Sequence, residues 1–261
     1  MNRKMAVAGY FYSNSRDELS SFMEENKYIG EKVDTALAIV PHAGYMYSGK
    51  VAVKTISKAK LSDTVIILGV NHTGFGESIA VWDKGSWQTP FGDIEIDENL
   101  ASEIIKTSFA KSDIVAHVRE HSIETMLPIL KYFNENIKIV PISLMGMSMS
   151  KIRAFAKDLR YFVEAGYSII VSSDFNHYES EEVTNNKDFL AIEQILKIDG
   201  ESLYETVMEK GISMCGVYPA TVALIAIKDK YKNAELVAHT TSGAVSGDFA
   251  NVVGYAGIIV A

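Results

Sequence analysis

The sequence predicts an α/β protein with a central, mostly parallel mixed sheet flanked by helices. Short apolar runs such as TVIILGV and YSIIVSS are typical of strands that are buried on both faces of a parallel sheet. Segments with helical spacing alternate with these runs along the chain. The 261 residues are enough for a sizeable core. Because no repeat, low-complexity tract or linker interrupts the pattern, we expect a single domain over residues 1–261.

The composition excludes several classes of protein. A formal net charge of -8 disfavours a nucleic-acid partner, because neutralising phosphates requires a basic surface. The single cysteine, Cys215, excludes an internal disulfide and any site built from several cysteines, and it suits a reducing compartment. We find neither a signal peptide nor an apolar run long enough to span a bilayer. The expected location is therefore cytoplasmic, without a membrane partner.

In the first half of the chain, the elements are predicted from hydrophobic spacing and capping residues. The strand–helix–strand order there predicts a parallel pair joined by a right-handed crossover. The predicted elements are a helix capped by Ser15 and running to about Asn26, a core strand over Thr35–Val40, a helix that begins at Ser48 or Gly49, and a second core strand over Val65–Val70.

In the middle of the chain, the spacing of the apolar residues changes. Alternating residues over Ser78–Asp97, with a turn at Pro90-Phe91-Gly92, predict a hairpin. The spacing over Glu120–Phe133 is helical, although Pro128 is expected to kink or divide the helix. The other elements predicted here are a helix capped by Asp97 and running to about Thr107, a strand over Lys138–Ile142 and a helix over Lys151–Glu164.

The last third is predicted to complete the sheet and to cover it with helices. A glycine-rich stretch, SGAVSGDFANVVG, joins its two closing strands. The predicted elements are a third core strand over Tyr167–Ser172, helices over Asn185–Ile198, Gly200–Lys210 and Pro219–Lys230, and closing strands over Leu236–Thr240 and Val252–Val260.

Three histidines, His42, His72 and His177, lie just past the ends of the three predicted core strands. A single histidine in such a place is usually a hydrogen-bonded loop residue. The repetition is more informative, because the carboxyl ends of parallel strands meet at one edge, where open α/β sheets bind their ligands. Converging neutral imidazoles suit iron, zinc or copper. The pattern therefore predicts a metal centre or another polar active site.

Asp174 lies three residues before His177, so both side chains could face the same crevice. The carboxylate would then orient an imidazole or ligate a metal directly. The alternative is that Asp174 only caps the helix that follows the strand.

The segment EHSIE places Glu120 and Glu124 four residues apart, with His121 between them. On a helix the two carboxylates would share a face and could form an acid–base or substrate-binding group. The alternative is a solvated helix start with favourable N-terminal carboxylates. The segment lacks the HExxH spacing of zinc proteases.

Cys215 precedes Gly216 at the start of a predicted helix. A lone cysteine is most often a buried, small apolar residue. A helix N-terminus would instead lower the pKa of the thiol and favour a metal thiolate or a nucleophile.

Taken together, these residues resemble the Memo family, which is similar in fold to the class III extradiol ring-cleaving dioxygenases (the LigB-like fold). The matching segments span nearly the whole chain, and the one small departure is Ser13, where family members usually have proline. The segments are AGYFY (8–12), PHAGYMYSG (41–49), NHTGFG (71–76), WQTPFG (87–92), EHSIETMLPIL (120–130), IVPI (139–142), SSDFNHY (172–178), CG (215–216) and VGYAG (253–257).

The resemblance implies a metal site formed by His42, His72 and Cys215, with Asp174, His177 and His121 beside it. The ring-cleaving enzymes have a glutamate as the third ligand. A cysteine at that position makes the site softer, and it makes iron easier to oxidise or favours copper. Prokaryotic members of the family resemble components of a system with a radical-SAM protein, which is therefore an expected partner.

The leading hypothesis is a dioxygenase-like oxidoreductase that holds non-haem iron(II), with copper or zinc as alternatives, and acts on a small aromatic diol. His177, oriented by Asp174, would be the general base, and His121 would donate or steer a proton. The alternative is a non-enzymatic module that uses the same crevice to bind a peptide or another partner, or that shields a redox metal. The residues alone leave both hypotheses open.

Overall fold

The computed structural model describes residues 1–261. The strands are β1 (Asn2–Arg3), β2 (Val33–Asp34), β3 (Leu37–Val40), β4 (Ala59–Lys60), β5 (Thr64–Val70), β6 (Ile79–Val81), β7 (Ser86–Trp87), β8 (Ile94–Glu95), β9 (Lys111–Ser112), β10 (Lys138–Leu144), β11 (Ser168–Ser172), β12 (His177–Glu179), β13 (Ala234–Thr241) and β14 (Val252–Val260). The α-helices are α1 (Arg16–Asn26), α2 (Lys50–Lys58), α3 (Glu98–Thr107), α4 (Leu127–Phe133), α5 (Met149–Glu164), α6 (Glu181–Leu196), α7 (Gly200–Glu209), α8 (Val217–Ile227) and α9 (Gly243–Ser246).

A nine-stranded mixed sheet forms the centre of the molecule, in the order β12-β14-β3-β11-β5-β10-β6-β9, with β13 on the other edge of β14. Its four middle strands, β3, β11, β5 and β10, are mutually parallel, and all residues of the first three are buried. The predicted α/β class is therefore confirmed. The predicted pairing of β3 with β5 is wrong, because β11 lies between them and pairs with both.

Helices cover both faces of this sheet. On one face α2 packs on β3, β13 and β14, and α1 and α4 pack against α2. On the other face α8 packs on β3, β5 and β11, with α5 and α7 against it. One cluster of 66 buried apolar residues fills the layers. None of the helices combines the length and the apolar character that crossing a membrane requires.

Most predicted elements are present with small shifts at their ends, and the predicted caps Ser15 and Asp97 accept hydrogen bonds from the backbone of Glu18 and Leu100. The predicted hairpin is only partly correct. Strands β7 and β8 do form an antiparallel hairpin, whereas β6 leaves it and pairs with β10 in the main sheet.

The segment from Glu120 to Phe133 is not one helix. A 3₁₀ turn covers Glu124–Met126 and α4 begins at Leu127, so Pro128 lies in the first turn rather than at a kink. Proline is tolerated in the first turn because its missing N–H would have no helical partner there. The expectation that Glu120 and Glu124 share a helical face is therefore wrong.

Glu124 instead fastens the N-terminal segment to the domain. The buried carboxylate is 2.6 Å from the Arg3 guanidinium, and it also accepts hydrogen bonds from the Tyr12 hydroxyl and two backbone N–H groups of the N-terminal segment. Arg3 further donates to the carbonyls of His117 (2.8 Å) and Glu120 (2.6 Å). A single guanidinium thus ties the first strand to the loop that carries Glu120.

His117 is completely buried beside Trp82 and Trp87. Its Nε2–H lies 3.0 Å from the carbonyl of Ala80, whereas its Nδ1 has no hydrogen-bond partner. Burial lowers the pKa of this imidazole to about 4, so the ring is neutral in the folded protein at neutral pH.

We predict that Arg3→Met destabilises the protein by roughly 3–5 kcal/mol, because it leaves the buried Glu124 carboxylate without its cation. Urea unfolding of the two proteins measures the difference. Arg153→Met is the matched control, because the Arg153–Glu201 pair is exposed. Equal unfolding midpoints for all three proteins would contradict the prediction.

We predict that stability falls by about 2 kcal/mol between pH 7 and pH 5 through His117 alone. In the unfolded chain the imidazole titrates near 6.5, whereas in the folded protein its pKa is about 4, so the unfolded state binds the proton first as the pH falls. The loss should be complete near pH 4. Urea unfolding of metal-free wild type and of His117→Phe at both pH values measures it. The same pH dependence in both proteins would contradict the prediction.

Candidate metal centre

Three side chains that could bind a metal meet at the carboxyl edge of the sheet. His42 follows β3, His72 follows β5, and Cys215 directly precedes the N-terminal end of α8. Their ligand atoms all lie within 4.8 Å of one another. The parallel strands thus bring together two of the three predicted histidines with a cysteine that is distant in sequence.

Hydrogen bonds fix the tautomer of His42. The Ser172 hydroxyl donates its hydrogen to the Ser122 carbonyl (2.5 Å), so it must accept from His42 Nδ1, 2.6 Å away. The Nε2 lone pair therefore faces the sulfur of Cys215, which lies 3.4 Å away within hydrogen-bonding distance. Neutral imidazoles that ligate metals commonly have their other nitrogen held in this way.

His72 is oriented by Glu120. The Glu120 carboxylate accepts from the His72 backbone N–H (2.6 Å) and from its Nδ1 (2.9 Å), which leaves Nε2 free. The backbone N–H groups of His121 and Ser122 also donate to this carboxylate.

Glu120 is buried yet ionised. Burial acts to raise its pKa, but the hydrogen bonds and the charge of His72, with the backbone donor of Ser122, outweigh that effect and hold the pKa at about 2. His72, Glu120 and His121 also lie close enough to hold an ion between them. Four donors already engage the Glu120 carboxylate. Glu120 is therefore better suited to orient His72 than to bind an ion itself.

The position of Cys215 depends on the glycine that follows it. A Cβ at Gly216 would lie 2.3 Å from the Cβ of Ser173, so only glycine permits α8 to begin this close to the end of β11. The Ser173 hydroxyl accepts from the Gly216 N–H at 3.0 Å. The Asp174 N–H in turn donates to the Cys215 sulfur at 3.2 Å.

The pKa of the Cys215 thiol differs from our expectation. We expected the helix N-terminus to lower its pKa, but burial, and next the charge of Asp174, raise the pKa well above its usual value. The metal-free protein therefore holds a protonated thiol at neutral pH. A metal cation would have to displace that proton to obtain a thiolate ligand.

The donor set fits a transition metal. Two imidazole nitrogens and one sulfur are the ligand types of zinc, iron and copper sites. For tetrahedral bonds of roughly 2.0 Å to nitrogen and 2.3 Å to sulfur, the two ligand atoms would be about 3.5 Å apart. The observed separation of 3.4 Å between His42 Nε2 and Cys215 Sγ is close to that value.

Asp174 holds the backbone of His42 in place. Its carboxylate accepts from the His42 N–H at 2.8 Å, and its second oxygen lies 3.9 Å from His42 Nε2. It does not cap a helix, because Ser180 caps α6. Burial raises the pKa of this carboxyl, opposed by the hydrogen bond from His42.

His177 is held by a residue that the sequence did not point to. Its Nδ1 lies 2.9 Å from the carbonyl of Ser213, and its backbone N–H donates to the Ser213 hydroxyl at 2.7 Å. No hydrogen bond joins it to Asp174, so the expectation that Asp174 orients the His177 ring is wrong. The carbonyl can only accept, which leaves Nε2 of His177 as the basic nitrogen.

His121 lies between His72 and Phe11. Its ring stacks on His72, with 4.8 Å between centroids, and packs against Phe11 at 4.7 Å. Burial lowers the pKa of this imidazole, although the charge of Glu120 opposes the effect. A neutral ring at neutral pH follows.

Asp174 and the histidines described above line one cavity of about 380 Å³. It contains four of the six histidines and several aromatic rings, but no lysine or arginine. The lining residues are Phe11, His42, Ala43, Gly44, His72, His121, Asp174, His177, Tyr178, Val253 and Tyr255.

Comparison with known proteins gives consistent matches along the chain. The family described as Memo-like protein matches residues 3–259. A MEMO1 family protein of Saccharolobus solfataricus is 40% identical over 278 residues, covering 98% of both chains. A MEMO1 family protein of Sulfolobus acidocaldarius is 44% identical over 225 residues, covering 83% of this chain and 79% of that protein.

Among solved structures, the chain is similar to an uncharacterized protein of Escherichia coli K12. The TM-score is 0.58 at 10% identity, and the match covers 86% of this chain and 99% of that one. This similarity concerns the fold alone, and it agrees with the predicted LigB-like fold.

We predict that Glu120→Gln lowers the affinity for a divalent metal by about 10–100-fold, because a neutral amide orients His72 less firmly than a carboxylate does. Competition with a chromogenic chelator measures the affinity for iron(II) under anaerobic conditions. Glu201→Gln, on the exposed surface, is the matched control. Wild-type affinity in a folded Glu120→Gln protein would show that Glu120 does not act through His72.

Proposed function

The chain belongs to the Memo-like protein family, and on that premise we propose that it is a metal-dependent oxidoreductase acting on a small aromatic diol. The metal would be a redox-active ion, iron(II) in the first instance, held by His42, His72 and Cys215. One observation carries the proposal: two imidazole Nε2 atoms with fixed tautomers and a cysteine sulfur meet at the wall of an aromatic cavity.

The ligand chemistry is compatible with a redox ion. Imidazole suits iron, copper and zinc alike, and a thiolate softens the site toward copper, zinc or easily oxidised iron. When bound, such an ion would supply Lewis acidity toward a diol and electron transfer toward dioxygen. The protein's own contribution is to fix the ligands and to shape a partly closed cavity.

His177 is suited to accept a proton from the diol. Its Nδ1–H is committed to the Ser213 carbonyl, so the Nε2 lone pair is the available base in the cavity. A general base in such a position commonly contributes a factor of about 10²–10⁴ to the rate. Ser213 acts as a positioning residue, in the role that we had expected of Asp174.

His121 offers a second neutral imidazole beside His42. The centroids of these two rings are 5.4 Å apart and their planes are nearly perpendicular. Because the stacked His72 ring and Phe11 hold His121 in place, it can donate or accept a hydrogen bond at a constant position. It would position a reacting oxygen through a hydrogen bond, or it would accept the diol proton that does not go to His177.

The alternative is a non-enzymatic module that shields a redox metal or binds a partner in the same cavity. It requires the same ligands but no general base. The two hydrogen bonds that His177 donates to Ser213 favour the enzyme, since a shielding site has no use for a positioned proton acceptor.

The decisive experiment combines metal analysis with oxygen consumption. We expect protein purified anaerobically and loaded with iron(II) to retain about one equivalent and to consume dioxygen with at least one member of a catechol panel. His177→Gln should retain the metal while turnover falls by about 10²–10⁴-fold. His239→Gln is the matched control, because His239 bonds to Asp188 and does not line the cavity.

The outcomes separate the two functions. Full retention of iron without oxygen consumption on any diol would favour the shielding module. Wild-type turnover in His177→Gln would remove His177 from the proposed mechanism. Full metal occupancy in a folded His72→Ala protein would place the metal elsewhere and overturn the proposal.

A further inference from the structure

Tyr255 lies in β14 and is only 3% exposed, yet its hydroxyl forms no hydrogen bond with the protein. The residue lines the cavity of the candidate metal centre. A phenolic hydroxyl that is not paired within the protein can donate a hydrogen bond to water or to a ligand. The Tyr255 hydroxyl is therefore free to bind whatever occupies the cavity.

The fold holds Tyr255 rigidly. Val253 and Tyr255 are two residues apart in a strand, so they share the face that lines the cavity. Strand β14 is paired with β12, β13 and β3 along its length. Gly254 lets the buried carboxylate of Asp188 approach the backbone, because a Cβ there would lie 1.8 Å from its oxygen.

The cavity provides no positive side chain. None of its eleven lining residues is lysine or arginine, and the polar groups are imidazoles, phenols and one carboxylate. Once the diol occupies the metal, an anionic substituent elsewhere on the ligand would lose hydration there without meeting a cationic side chain. A neutral ring would instead find the aromatic surfaces of Phe11, Tyr178 and Tyr255.

We propose that Tyr255 is a substrate-contacting residue that donates its phenolic hydrogen bond to an oxygen of the diol, and that the cavity selects neutral diols over those that carry a carboxylate. The inference rests on the proposed function and names the substrate class of the same site. Burial, and next the charge of Asp174, raise the pKa of Tyr255, which keeps its hydroxyl protonated as a donor.

The test measures binding rather than turnover. Iron(II)-loaded protein is titrated anaerobically by calorimetry with 4-methylcatechol and with 3,4-dihydroxybenzoate. The neutral diol should bind at least about tenfold more tightly than the carboxylate. Tyr255→Phe keeps the ring and should weaken the binding of 4-methylcatechol by about 2–10-fold, the scale of one hydrogen bond.

Two controls make the result specific. Tyr132→Phe removes a hydroxyl that bonds to Glu24 on the surface, away from the cavity, and should bind 4-methylcatechol like the wild type. The net charge of -8 repels anions at long range, so the titrations are repeated near 1 M salt, where the Debye length is about 3 Å. The preference for the neutral diol should persist there.

Equal affinity for the two diols at high salt, or wild-type affinity in Tyr255→Phe, would overturn the inference and leave the proposed oxidoreductase standing. Binding of neither diol by protein that retains its iron would overturn the diol substrate class of the proposed function, and the inference with it. The binding data therefore distinguish the two failures.

Discussion

The candidate site depends on the register of three parallel strands. Backbone hydrogen bonds hold β3, β11 and β5 side by side, with Ile39 opposite Val171 and Val171 opposite Leu68. Their carboxyl ends therefore meet at one edge, and the loops beyond them carry His42, His72 and Asp174. A slip of one residue in this register would turn the side chains to the opposite face and separate these groups.

Around these strands, buried polar groups satisfy one another before any ligand arrives. Ser172 passes its hydrogen to a carbonyl and so receives the hydrogen of His42, while Glu120 collects four donors from its own loop and from His72. Such pre-organisation means that little reorientation is needed when a metal binds. Arg3, in the first strand, donates to the backbone carbonyl of Glu120 and pairs with the Glu124 carboxylate, so the loop that carries Glu120 is also tied to the N-terminal segment.

The sequence was most informative where the signal is local. Strand ends, helix caps and the histidines after the strands follow from spacing within about a dozen residues, and these predictions agree with the structure. The position of β11 between β3 and β5, and the departure of β6 from its hairpin, depend on pairings across the whole chain. Ser213 was missed for the same reason, because it meets His177 across 36 residues and carries no motif. Glu120 and Glu124 have separate roles because the α-helix begins only at Leu127, after both of them.

The pairing of β3 also bears on how the chain is made. Both neighbours of this fully buried strand, β11 and β14, come from much later in the sequence. On the ribosome, the apolar segment LAIV therefore emerges more than a hundred residues before it can pair, exposed to other nascent chains. Cys215 joins His42 and His72 later still, so the candidate site can form only near the end of synthesis. A chaperone that shields this strand would protect the chain until the candidate site can form.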